Sequence, residues 1–116
     1  MSITVIKTYN RTTTDSPWYA HPEDKASLVA DWVTAGKMTA TASNPDILTK
    51  IINRTYPTKA IYDEWLALPA QQVSRILEAV HDNTNGIIWT KVITDSSNGT
   101  SLTENSSDYS LSLSKS

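Results

Sequence analysis

Two histidines, His21 and His81, each stand beside acids: Glu23 and Asp24 near the first, Asp82 next to the second. A metal centre needs three or more converging ligands at suitable spacing. Neither histidine belongs to an H-E-x-x-H or comparable run, so no metal site is expected; they read as surface residues at a helix start and a helix end. A Ser or Thr nucleophile needs a base and a third, orienting group. The chain has 14 Ser and 16 Thr but no G-x-S-x-G. Its glycines, Gly36, Gly86 and Gly99, do not cluster into a phosphate-cradling loop. The paired acids Glu23/Asp24 and Asp63/Glu64 are adjacent in sequence, and adjacent helical positions face different ways. They suit the first turn of a helix, where the dipole favours anions, better than an acid–base dyad. Cysteine is absent, which removes disulfides, thiolate catalysis and Cys-ligated zinc. No catalytic set and no cofactor are expected.

The aromatic residues are the remaining candidates. Trp32, Tyr56, Trp65 and Trp89 fall on helices and strands and could line a pocket between the two layers. The competing reading is that they are core, because a chain without Phe must fill its interior with other large side chains.

The elements that would position these residues follow from periodicity. Ile3 to Asn10 alternates as a strand, with Ile3, Val5 and Tyr9 on one side and Thr4, Ile6 and Thr8 on the other. Pro22 fits a first helical position, Leu28, Val29, Trp32 and Val33 make one stripe, and Gly36 is the stop: a helix from Pro22 to Ala35. Met38 to Ser43 reads as a short strand and Ile47 to Tyr56 as the next, with Asn44-Pro45-Asp46 as the turn between them. Thr58 is placed to cap a helix carrying Ile61, Tyr62, Trp65 and Leu66. Pro69 breaks or restarts that helix, and Val73, Ile76, Leu77 and Val80 then give an amphipathic pattern. Ile87 to Thr94 is a last strong strand.

The order β-α-β-β-α-β predicts an α+β, ferredoxin-like domain over residues 1–94. Its four-stranded antiparallel sheet would run 4-1-3-2 with both helices on one face. Both faces of the strands carry large apolar groups: Ile87, Trp89 and Ile93 oppose Ile88 and Val92, and Ile47 and Ile51 oppose Leu48 and Ile52. A large uncovered apolar patch marks an interface. Ile88 and Val92 are therefore expected to bind a partner, with a second copy of the chain, as homodimer or higher oligomer, the natural cover. Residues 95–116 form a Ser-rich C-terminal extension, nine of 22 residues being Ser. It reads as a linker followed by a strand in which Tyr109, Leu111 and Leu113 share one face, suited to docking on a sheet edge.

The formal charge of −2 and the scattered 10 basic residues argue against a nucleic-acid partner. No apolar run is long enough to span a membrane, and no signal peptide is read at the start of the chain.

The segment Asn53-Arg54-Thr55-Tyr56-Pro57-Thr58-Lys59-Ala60-Ile61-Tyr62-Asp63-Glu64-Trp65 resembles the antibiotic-biosynthesis-monooxygenase-like proteins, dimeric α+β barrels whose sheets pack face to face. The opening residues 1–11, with Thr13-Thr14-Asp15-Ser16-Pro17-Trp18-Tyr19, resemble small structural proteins of tailed bacteriophages. These resemblances imply a non-enzymatic structural or assembly protein of a phage particle, a capsid-decorating, neck, tail or baseplate component. It would be made in the bacterial host cytoplasm, located in the virion and bound to other virion proteins. The alternative they imply is a small cofactor-independent monooxygenase-like or ligand-binding dimer with Trp32, Tyr56, Trp65 and Trp89 around its pocket.

Overall fold

β1 (Ile3–Asn10) is the middle strand of the sheet and pairs antiparallel with two neighbours, along its whole length on both sides. The computed structural model describes residues 2–20, 23–96 and 99–105. After β1 come α1 (Glu23–Thr34), β2 (Thr39–Asp46), β3 (Thr49–Tyr56), α2 (Lys59–Ala67), α3 (Pro69–Thr84), β4 (Ile88–Asp95) and β5 (Thr100–Asn105). The protein is α+β, with one antiparallel sheet in the order β2-β3-β1-β4-β5.

Two expectations need correction. The sheet has five strands among the described residues rather than four, because the chain turns after Asp95 and lays β5 along the free edge of β4. A strand does occur in the extension, but at Thr100–Asn105; the one expected at Tyr109, Leu111 and Leu113 lies outside the described residues. There are also three helices among the described residues rather than two. Pro69 lacks an N–H and cannot continue α2, so the chain extends for one residue at Leu68 (φ −65°, ψ 128°) and Pro69 becomes the first residue of α3.

Local signals explain the other boundaries. The Thr58 hydroxyl accepts from the Ile61 N–H at 3.2 Å and starts α2. Gly36 takes φ +75° and ends α1, with its N–H donating to Val33 and the Lys37 N–H to Trp32. β2 runs on to Asp46 through a bulge after Ser43, so Asn44 and Pro45 lie within the strand and the turn moves to Ile47 and Leu48. Pro45 is tolerated there because β2 is an edge strand.

The helices lie against the sheet face that carries Ile3, Val5, Lys7 and Tyr9. Ile3, Trp32, Met38, Tyr56 and Trp65 form one buried cluster; Tyr9, Ile87 and Trp89 form a second. The Trp32 and Trp65 rings meet edge to face, 5.1 Å apart. The opposite face is largely Thr, Ser and Asn, with Ile6 beside Val92 and Ile51 on the diagonal. Ile88, at the end of β4, also lies there and is 62% exposed.

Helix α3 departs most from its pattern. An amphipathic helix turns its apolar stripe to the core. Here Gln71, Ser74, Glu78 and Asp82 face the sheet and are buried, while Val73, Ile76, Leu77 and Val80 face outward.

Candidate functional site

The buried polar stripe of α3 looks onto a sheet face that is unusually basic. In a strand, alternate residues share a face. Lys7 of β1 is level with Lys91 of β4 and Ile52 of β3, and Val5 is level with Arg54. Three cations from three adjacent strands thus point under the helices. Lys25 of α1 and Arg75 of α3 join them. Together with Tyr9, Tyr56, Tyr62, Trp65 and Glu78, these residues line a cavity of about 70 Å³ between the layers.

Among the described residues of the lining, five are Lys or Arg and one, Glu78, is acidic. Glu78 is heavily used. Its Oε1 accepts both from Lys7 Nζ and, at 2.7 Å, from Tyr9 Oη. Lys25 Nζ donates to Gln71 Oε1 and, at 3.1 Å, to Ser74 Oγ, both neutral acceptors. Lys91 has Glu104 of β5 at 4.0 Å, the limit for an ion pair. Aromatic rings supply part of the balance: Lys7 Nζ is 4.4 Å from the Trp89 ring centre, Lys25 Nζ 5.5 Å from that of Trp65, and Arg54 Cζ 5.8 Å from the same ring.

Two buried polar atoms have no hydrogen-bond partner among the described residues, Arg54 Nε and Asp82 Oδ2. Asp82 sits at the end of the stripe, its other oxygen 3.0 Å from His81 Nδ1. Burial raises its pKa above the usual aspartate value, with the His81 bond opposing.

Burial first, and neighbouring cations after it, lower the pKa values of two of these lysines. Lys25 is pushed down to about 8, first by burial and then by Arg54. Lys91 is likewise pushed down to about 8, by burial and then by Lys7. Burial raises the Tyr9 phenol well above its ordinary value and Tyr56 to about 12. Both tyrosines are hydrogen-bond donors at neutral pH.

Of the aromatic residues picked from the sequence, Tyr56 and Trp65 line the cavity. Trp32 packs behind Trp65, and Trp89 lies in the second cluster, where it carries Lys7 on its face. Ile88 and Val92 are on the far side of the sheet. Sequence reasoning missed the cations. Their signal was present: Lys7, Arg54 and Lys91 each interrupt the apolar face of a strand, Lys7 level with Lys91 and Arg54 on the adjacent diagonal. Scoring basic residues by clustering along the chain conceals a cluster assembled across strands.

Among the described residues no group of three or more His, Asp or Glu converges as a metal site, and no helix is long and apolar enough to cross a membrane. No protein family, curated protein or solved structure matches the chain.

Proposed function

We propose that the protein binds a small oxyanion, such as phosphate or a short-chain carboxylate, in the cavity between α3 and the sheet. The observation that carries this is the charge imbalance of the lining, five basic side chains against one acid among the described residues, around a donor with no hydrogen-bond partner among them, Arg54 Nε. Each ion removed from water costs several kcal/mol unless it is paired. Glu78 and Glu104 offset part of that cost for Lys7 and Lys91, and neutral acceptors and ring faces another part. An oxyanion would accept from Arg54 Nε and add negative charge beside Lys7 and Lys91. The volume suits a compact anion, and Tyr56, Tyr62 and Trp65 give it one apolar wall. The role is binding without chemistry: the tyrosines stay protonated, and Glu78 is engaged by Lys7 and Tyr9.

The test is unfolding in urea at constant ionic strength with phosphate, sulfate, acetate or chloride. A ligand that binds only the folded state stabilises it by about 2.7 kcal/mol at 100 times its Kd. One oxyanion should stabilise saturably, and Arg54→Gln should abolish the effect. Stabilisation that follows ionic strength alone, or that survives Arg54→Gln and Lys91→Met, refutes the reading.

A second reading, an assembly component of a phage particle, is favoured by one feature, the exposed apolar face of α3. It is compatible with the first, because that face and the cavity lie on opposite sides of the same helix.

A further inference from the structure

Val73, Ile76, Leu77 and Val80 are 56%, 47%, 47% and 51% exposed. Around them, every exposed residue of α3 is uncharged: Pro69, Ala70, Gln72, Asn83 and Thr84. The charged residues of the helix, Arg75, Glu78 and Asp82, are turned away. A helix face this apolar and free of charge is a poor solvent surface.

We infer that this face packs against the same face of a second copy, the two α3 helices running antiparallel about a two-fold axis between Ile76 and Leu77. The stripe is a palindrome in side-chain size, Val-x-x-Ile-Leu-x-x-Val. In a two-fold contact a patch must complement itself. Antiparallel pairing about that midpoint sets Val73 against Val80 of the other copy and Ile76 against Leu77. Charge points to the same occupant. Unlike partners are selected and steered largely by complementary charges, and this face has none to offer. Two identical copies meet here without like-charge repulsion.

Area is sufficient for the core of such a contact. The four half-exposed side chains leave roughly 350 Å² of apolar surface, against about 800 Å² per partner in a standard interface of which somewhat over half is apolar. Pro69, Ala70 and the Gln72 stem extend it along a helix about 24 Å long. The pairing stands apart from the anion reading, since it leaves the cavity side of α3 untouched.

Sedimentation of the full chain should show a dimer. Leu77→Lys should convert it to a monomer with unchanged circular dichroism. Because the chain has no Cys, introduced thiols are unique. Val73→Cys mixed with Val80→Cys should form an oxidised mixed dimer faster than either variant alone. Val92→Lys, on the outer sheet face, should remain dimeric. A wild-type monomer at all concentrations overturns the inference. So does a dimer that survives Leu77→Lys, or one lost only on Val92→Lys. Parallel cross-linking, with Val73→Cys alone the faster, overturns the antiparallel geometry.

Discussion

Lys7 of the central strand and Glu78 of α3 meet side chain to side chain, and Tyr9 donates to the same Glu78 oxygen at 2.7 Å. This junction ties the inverted helix to the sheet. It is also the one acidic counterweight among the described residues of the cavity lining. Glu78→Gln should therefore act in two directions. Removing one member of a buried ion pair costs about 3–5 kcal/mol; the glutamine carbonyl still accepts from Tyr9, so the lower end is expected. Without the carboxylate, the oxyanion meets a more positive cavity. Urea unfolding should show a destabilised variant that gains more from the bound oxyanion than the wild type does. Loss of stability without that larger gain would separate the structural role of Glu78 from any electrostatic one.

Trp65 is almost fully buried and contacts Trp32 and Tyr56, with the Lys25 and Arg54 charges near its ring. Trp65→Ala should cost about 3–5 kcal/mol. Trp65→Phe keeps a ring face and should cost less. Chemical denaturation followed by circular dichroism ranks the two. Equal losses would show that volume, and not the ring beneath the cations, is what matters there.

Much of the fold was legible because single residues dictate it. Thr58, Gly36 and Pro69 act through their own chemistry, and a cap, a left-handed φ and a missing N–H need no distant partner. β5 was not legible because its residues, Thr100 to Asn105, are mostly polar and form a strand by pairing with β4, not by burying a face. The orientation of α3 was not legible either. Periodicity finds an apolar stripe but not which side the core is on. Here the sheet beneath carries Lys7, Arg54 and Lys91, so the polar stripe of α3 faces inward to meet them. That choice depends on which strands become neighbours, and so the cavity emerges only once the topology is known.

Integration of β5 makes a prediction opposite to that for a detachable tail. A chain ending at Ser96 loses the strand on β4 and, with it, the Glu104 carboxyl near Lys91. The exposed β4 edge then offers unpaired backbone groups. The truncated protein should unfold at lower urea and aggregate more readily on light scattering. Unchanged stability would mean that β5 adds little to the sheet.

The buried cations and phenols set opposite slopes in the pH dependence of stability. Lys25 and Lys91 have folded pKa values near 8, below the ordinary 10.5. Between these limits the unfolded chain binds more protons, so stability rises with pH from about 8 towards 10. Lys50, lowered by burial, acts in the same direction. Tyr9 and Tyr56 are raised above 10, so their contribution is present below pH 10 and is lost as the unfolded chain begins to ionise its phenols. Without an oxyanion, the urea midpoint should climb from pH 7.5, peak between about 9 and 10, and fall beyond. A bound oxyanion favours charged lysines, so its affinity should fall over the range in which stability rises. Lys25→Met with Lys91→Met should flatten both trends. A midpoint that declines steadily from pH 7.5 would show that these lysines are not held in the environment described.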